Sequence, residues 1–258
     1  MIASVERILE NINVCDNIYK ITVEGKYEGR PGQFYMLKAL YDDPVLPRPI
    51  SIYNLEDNKI EFLYRAGGRG TKLISKLKKD DMIQIMGPSG NGFYMKNIKG
   101  KIAVVTGGIG IAPMGYFINQ LKECRVDFYG GFKNTIYGLD LIRGSVDNIN
   151  LTLEDDFKNE GQLKQVKSKV KIVKNAYITD ILNVKQYDRV FCCGPKIMMK
   201  KVVDMCIENE VPIHVSMENK MACGIGACLV CTCNTKKGYR RVCSDGPVFD
   251  GKDLIWDE

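Results

Sequence analysis

Histidine is almost missing from this chain: His214 is the only one in 258 residues. Zinc sites that mix cysteine with histidine therefore have little to draw on. Long apolar runs are missing too. Nothing approaches the ~20 consecutive apolar residues that a membrane helix needs, so no membrane span is expected. The opening stretch MIASVERILENINVCDN has no basic segment leading into an apolar one, so it does not read as a secretory signal. Basic residues exceed acidic ones modestly, 37 against 31, for a net charge of +6. They are scattered, with no basic stripe interleaved with aromatics, so nucleic acid is not an expected partner. A solvated surface accounts for the excess, although a phosphate-bearing cofactor or an acidic partner would also use it. Lack of a leader points to the cytoplasm. There, ten cysteines are expected as reduced thiols or metal ligands and not as disulfides.

What the chain does contain is an ordinary globular balance, 45% hydrophobic and 26% charged, at a length suited to about two domains and a small added module. Its strongest feature lies near the end. Cys223-Gly-Ile-Gly-Ala-Cys228-Leu-Val-Cys231 is followed, after eleven intervening residues, by Cys243. This C-x4-C-x2-C spacing is that of plant-type ferredoxins, in which thiolates of one loop hold a [2Fe–2S] cluster. Gly224 and Gly226 suit such a loop, since close backbone approach lets N–H groups reach sulfur. The fourth cysteine comes sooner than in plant-type ferredoxins, which predicts a compact hairpin. Cys233 is a spare candidate ligand.

Residues 1–98 read as short strands between turn residues: Ala3–Asn11, Ile18–Val23, Phe34–Ala39, Ile50–Asn54, Lys59–Tyr64 and Met82–Met86. A short helix is expected at Gly70–Lys78. Many short strands with turn signals predict an antiparallel barrel. Arg48-Pro49-Ile50-Ser51 sets a cation and a hydroxyl close together on a strand, suited to a phosphate and a ring nitrogen. Gly67-Gly68-Arg69-Gly70-Thr71 runs into a helix start with Thr71 near its N-cap, where free N–H groups bind anions. Each motif alone also fits an ordinary strand entry or glycine turn.

From Lys101 the pattern changes. Ile102–Thr106 is a continuous apolar run, as in a strand buried on both faces. It leads into Gly107-Gly108-Ile109-Gly110-Ile111-Ala112-Pro113 and a helix over Met114–Glu123. Further strands are expected at Arg125–Gly130, Asn150–Leu153 and Arg189–Cys193, and helices at Tyr137–Arg143, Thr179–Lys185 and Lys196–Asn209. Alternation of this kind implies a parallel sheet with ligands at its carboxyl edge. The glycine spacing is not that of the standard dinucleotide fingerprint. Cys192 reads as a small core residue, and Met198, Met199 and Met205 as helix packing. One lysine, Lys133, and no basic cluster follow the Asp127–Gly130 strand, which favours NAD over NADP. Glu154-Asp155-Asp156 fits either ribose hydroxyls or a solvated loop. In the tail, Gly238–Val242 and Pro247–Phe249 are expected to form a small sheet over the cluster. Glu218 reads equally as a site carboxylate or an exposed one.

The two barrel motifs in this order, with Pro31-Gly32-Gln33-Phe34, Gly87–Phe93 and the Gly-Gly-x-Gly-x-Ala-Pro segment, resemble the ferredoxin-reductase family. That resemblance implies FAD in the barrel. Arg48 and Gly70-Thr71 would bind its phosphates, Ser51 would lie near flavin N5, and Pro49, Ile50, Leu63, Tyr64 and Arg65 would line it. Gly107, Gly108, Gly110 and Pro113 would hold NAD, with Cys193-Gly194-Pro195 beneath the nicotinamide. Ser51 and Cys193 would be the catalytic pair. The tail phrases Ser-Met-Glu-Asn-Lys-Met-Ala-Cys-Gly-Ile-Gly-Ala-Cys and Arg-Val-Cys-Ser-Asp-Gly-Pro-Val-Phe are similar to the electron-transfer subunits of type B dihydroorotate dehydrogenases. This implies ligation by Cys223, Cys228, Cys231 and Cys243, leaving Cys233 out. It also implies a heterotetramer with an FMN-bearing catalytic subunit that oxidises dihydroorotate in pyrimidine synthesis. Electrons would pass from that FMN through the cluster and FAD to NAD. The expected division is an FAD barrel at 1–98, an α/β NAD domain at 99–213 and a [2Fe–2S] module at 214–258. Small subunits of NAD(P)-dependent ferredoxin reductases, sulfhydrogenases and sulfite reductases share this layout. Some of these carry aspartate where Cys223 stands. Outside that class, a redox sensor or a zinc-stabilised binding module is the alternative, and visible absorbance separates it from a flavin and iron–sulfur protein.

Overall fold

The computed structural model describes residues 2–41, 44–155 and 169–256. Six strands close an antiparallel barrel in the order β1-β2-β5-β4-β3-β6. They are β1 (Ile2–Cys15), β2 (Ile18–Glu24), β3 (Phe34–Ala39), β4 (Arg48–Glu56), β5 (Lys59–Arg65) and β6 (Met82–Ser89). Strand alternation sends Ile21, Val23, Leu37, Ile52 and Phe62 into one interior, each such side chain contributing about 1.5–3 kcal/mol by its burial. The helix expected at Gly70–Lys78 is shorter: α1 spans Arg69–Ile74.

Beyond the barrel, β7 (Gly100–Gly107), β8 (Cys124–Phe132), β9 (Asn148–Leu153), β10 (Lys169–Lys174), β11 (Arg189–Cys193) and β12 (Ile213–Ser216) pair in parallel. Helices α2 (Ala112–Gln120), α3 (Ile178–Ile181) and α4 (Lys196–Glu208) follow strands of this sheet. Val104 and Val105 lie on opposite faces of β7 and enter different cores, one with Phe117 and Phe191, the other with Met199 and Val202. That two-sided burial explains the unbroken apolar run. Strand β10 had no expected counterpart. The segment Glu154-Asp155-Asp156 ends at the edge of the described residues, and Asp156 lies outside them.

Two helices differ from expectation. Residues 137–143 form turns in place of a helix, because Gly138 takes φ +73° and Ile142 N donates to Leu139 O at 3.1 Å. The apolar residues there, Leu139 and Ile142, are spaced as on a helix but are buried between barrel and sheet. The helix expected at Thr179–Lys185 stops at Ile181, and a 3-10 turn follows at Val184–Gln186.

The tail also pairs differently. β13 (Thr232–Thr235) and β14 (Gly238–Arg241) form a hairpin, while β15 (Val248–Asp250) leaves it and joins β12 antiparallel at the edge of the large sheet. The sheet order is therefore β10-β9-β8-β7-β11-β12-β15. No small sheet combines 238–242 with 247–249. The line drawn between residues 213 and 214 falls within β12. Hydrogen bonds also tie the tail to the loop after β6: Asn91 N donates to Gly246 O at 2.6 Å, and the side-chain Asn91 Nδ2 to Asp245 O at 3.1 Å.

Candidate functional site

A cavity of about 220 Å³ opens where barrel, sheet and tail meet. Pro49, Ile50 and Ser51 reach it from β4, and Leu63, Tyr64 and Arg65 from the neighbouring β5. The sheet contributes Ile109 and Ala112, and the tail contributes Ser216, Met217, Glu218 and Asn219. Six of the expected flavin contacts thus share one wall. Arg48 lies off this wall, over the start of α1: a methyl at Gly70 would stand 2.5 Å from its Nε. Its Nη1 donates to Leu46 O at 2.8 Å and Pro47 O at 3.2 Å. Thr71 is not the N-cap; Gly68 is. The Thr71 hydroxyl accepts from Gly68 N at 3.1 Å and donates to Gly68 O at 3.0 Å, closing the first turn.

The nucleotide motif and the cysteine motif interlock. β7 ends at Gly107, a 3-10 turn covers Gly108–Ile111, and Pro113 sits in the first turn of α2. A methyl on Gly110 would overlap the carbonyl oxygen of Cys193, and one on Gly107 would stand 2.6 Å from Pro195 Cδ. Gly194 (φ +157°) packs on Gly107 in return. Gly107, Gly110, Cys193, Gly194 and Pro195 are therefore one assembly. Beside it, a second cavity of about 610 Å³ is lined by Gly108, Ile109, Lys133, Asn134 and Tyr137 from the sheet side. Asn17, Ile18 and Arg65 form its barrel wall. It occupies the carboxyl edge of the parallel strands, where open α/β sheets take ligands. Arg65 and Ile109 line both cavities.

Cys193 is fully buried, and burial pushes its thiol well above the ordinary range, with the Glu218 carboxylate adding to the rise and a hydrogen bond from Ser216 opposing it. A thiol held neutral in this way is a packing and polar-contact group and not a nucleophile. Glu218 is itself raised, by burial first, with Arg65 pulling the other way.

In the cysteine loop, main-chain N–H groups point at the sulfurs of Cys223 and Cys231. Burial works to raise Cys223, but backbone N–H groups of Ile225, Cys228 and Ala227 outweigh it and bring the thiol down to about 6. Ile225 N lies 3.5 Å and Cys228 N 3.4 Å from its Sγ. Cys243 N donates to Cys231 Sγ at 3.4 Å. Gly224 and Gly226, at φ +70° and +83°, make the loop tight enough for these contacts. Among the described residues no three His, Cys, Asp or Glu converge as a single metal ion requires. Four cysteines at this spacing, with main-chain N–H groups reaching sulfur, suit a [2Fe–2S] cluster. The buried Ser244 Oγ, which has no hydrogen-bond partner, stands beside Gly226 and is a further donor aimed at this loop. Cys233 lies apart on β13, lining a different groove with Lys196 and Trp256.

Residues 218–255 match the iron–sulfur cluster binding domain of dihydroorotate dehydrogenase B. Over 252 residues the chain is 52% identical to the "dihydroorotate dehydrogenase B (NAD(+)), electron transfer subunit" of Clostridium acetobutylicum, covering 98% of this chain and 97% of that one. This chain belongs to that family. The subunit of the same name from Clostridium perfringens is 42% identical over 252 residues, covering 96% of each chain. Among solved structures, an NADH-dependent reduced ferredoxin-NADP oxidoreductase superposes with a TM-score of 0.80 at 23% identity, over 98% of this chain and 91% of that one. A Neisseria gonorrhoeae ferredoxin NADP+ reductase gives 0.58 at 16% identity, over 80% and 91%. The barrel-and-sheet fold of ferredoxin reductases is thus present in this member of the family.

Sequence reasoning underrated two residues of the site. Ser216 and Glu218 reach the first cavity through the β12–β15 pairing and the Met217 N to Pro247 O hydrogen bond at 2.8 Å. Neither carries a motif spacing to announce it. The one available signal was their place at the head of the Ser-Met-Glu-Asn phrase that leads into the cysteine loop.

Proposed function

We propose that this chain is the redox half of a dihydroorotate dehydrogenase, passing electrons from the FMN of a catalytic subunit through a [2Fe–2S] cluster and FAD to NAD+. Nicotinamides exchange electrons in pairs and iron–sulfur centres singly, and a flavin bridges the two. Membership of the family, carried by full-length identity to named relatives, is the observation on which the reading rests. The three sites on one chain support it.

Arg48, Gly70 and Thr71 would hold FAD phosphates, and Pro49, Ile50, Ser51, Leu63, Tyr64 and Arg65 its ring system. Gly107, Gly108, Gly110 and Pro113, with Cys193, Gly194 and Pro195, would hold NAD. Ser51 would hydrogen-bond near the reacting flavin nitrogen, and the neutral Cys193 would pack against the nicotinamide. Cys223, Cys228, Cys231 and Cys243 would ligate the cluster. The three-part division at residues 98 and 213 describes these roles, with the third part sharing strands with the second. Around the cluster loop, Ile225, Leu229, Val230 and Tyr239 are exposed. Such apolar exposure suits a partner surface, and two copies of each subunit would make the heterotetramer. No helix among the described residues is long and apolar enough to cross a membrane.

The test is to assemble the chain anaerobically with its FMN-bearing partner and ask whether dihydroorotate drives NAD+ reduction. Absorbance of both flavin and iron–sulfur, with NADH formed, is the expected result. Turnover with ferredoxin or sulfide in place of dihydroorotate would overturn the assignment and favour the small subunits of ferredoxin reductases or sulfhydrogenases.

A further inference from the structure

Tyr53 sits two residues beyond Ser51 on β4, yet it does not belong to the barrel interior. The β4–β5 register shifts between Ile52 and Asn54, so Tyr53 is the extra residue of a bulge, a device that re-aims a side chain. Ile52 points into the barrel core, while Tyr53 packs in the core of the neighbouring sheet with Ile111, Met114 and Phe117. It is 1% exposed. Gly115 of α2 leaves room for it: a methyl there would stand 3.0 Å from Tyr53 Cε2.

The hydroxyl ends on the turn after β8. Tyr53 Oη donates to Asp140 Oδ1 at 2.8 Å and lies 3.2 Å from Gly138 O. That turn touches both halves of the site. A methyl on Gly138 would stand 3.1 Å from Ile111 of the glycine turn and 3.2 Å from Leu63 of β5. Barrel strand, nucleotide turn and the 138–140 turn therefore meet at one phenol.

We propose that the Tyr53–Asp140 hydrogen bond is a positioning contact that sets how closely the glycine turn and Cys193 stand to the Ser51 wall, and so how closely a nicotinamide approaches the flavin. This rests on the function proposed above. Packing alone is served by a phenyl ring; the hydroxyl adds direction and distance. Reaction rates feel such placement, since a shift of about 1 Å costs up to about 10²-fold.

The experiment uses the complex assembled with its catalytic partner, in native, Tyr53→Phe, Asp140→Ala and doubly substituted forms. Rapid mixing with saturating NADH reads the two-electron reduction of bound FAD as NADH becomes NAD+. Each single variant is expected to reduce FAD about tenfold more slowly, with flavin and cluster content unchanged and a weaker long-wavelength nicotinamide–flavin charge-transfer band. The double variant is expected to be no slower than either single one. Hydrogen exchange of the free chain is expected to speed up at residues 138–143 in Tyr53→Phe. Native reduction rates in both single variants, even with a lower melting temperature, would overturn the proposal, as would slowing by Tyr53→Phe alone. If the native complex is not reduced by NADH, the proposed function falls and this inference with it. If it is reduced and the variants match it, only this inference falls.

Discussion

Gly110→Ala is the substitution from which the interlocked turns predict most. The added methyl carbon would stand 2.6 Å from the Cys193 carbonyl carbon and 2.9 Å from Gly194 Cα. Carbon atoms are at ease from about 3.5 Å, so the two turns would have to part by about 1 Å. All the crowding atoms are main chain, so no side chain can swing aside. Gly110 has no positive φ, and the cost is therefore one of crowding. Overpacking of this kind costs about 1–3 kcal/mol. Because the backbone must give way, about 2–3 kcal/mol is expected, which lowers the melting temperature by roughly 4–12 °C at this chain length. The same displacement shifts Gly108 and Ile109, which line the second cavity, and reduction by NADH should slow by about 10–10²-fold with flavin retained. Gly144→Ala is the control, since a methyl there meets nothing within 4 Å. Melting curves and rapid-mixing kinetics on the two variants decide the matter. If Gly110→Ala melts and reacts like Gly144→Ala, the turns do not constrain each other as described.

Cys228→Ser should lose most of the [2Fe–2S] absorbance and destabilise the tail, because metal binding and loop folding are coupled; a full cluster signal would remove Cys228 from the ligand set. Ser51→Ala should slow flavin reduction with cluster absorbance intact, and an unchanged rate would take Ser51 out of the reaction. Burial holds the folded-state value of Glu218 above its ordinary one, so the folded protein binds that proton more tightly. Its stabilisation is complete at low pH and is lost as pH rises through the folded value. Glu218→Gln should accordingly melt a few degrees higher than the native chain near neutral pH and lose that advantage under acid conditions, as calorimetry across pH would show. His214 runs the opposite way: burial first, then Arg189, holds it below 6.5, and its buried Nδ1 has no partner. Stability is present above the ordinary histidine value and lost as pH falls through the folded one. His214→Phe, which keeps the stack on Phe191, should flatten that acid limb, and an unchanged pH profile would show that His214 does not titrate there.

The parts of the fold legible from sequence are those whose signals are local. Phe34–Ala39 and Arg189–Cys193 are strands at the very residues expected, because turn residues bound the first and a glycine-proline pair ends the second. The cluster module is legible in the same way, since the cysteine spacing marks the stretch that matches an iron–sulfur cluster binding domain. Residues 137–143 failed because Leu139 and Ile142 imitate a helical face. What buries them is the approach of the barrel, with Tyr53 and Leu63 against Gly138, and a one-dimensional pattern carries no trace of it. β10 was missed for a related reason. Its alternation Lys-Val-Lys-Ile-Val-Lys is that of an edge strand kept polar, and edges are where charge blunts the strand signal.

The same division between local and distant signals explains why the site was half seen. Pro49 to Ser51 carry a local motif and line the first cavity, and the glycine turn and Cys193-Gly194-Pro195, each also a local motif, pack on one another. Ser216 and Glu218 become site residues only because β15 turns back from the cluster hairpin to pair with β12, Ser216 opposite Val248. That pairing draws Pro247 and the tail across the mouth of the cavity, where Glu218 is buried beside Arg65. Had the tail folded as a free-standing module over the cluster, Glu218 would face water and Cys193 would lack its polar neighbours. The large sheet's last strand is therefore the physical link between the cysteine loop and the wall proposed for the flavin, and the carboxylate it brings inside is the consequence that spacing could not reveal.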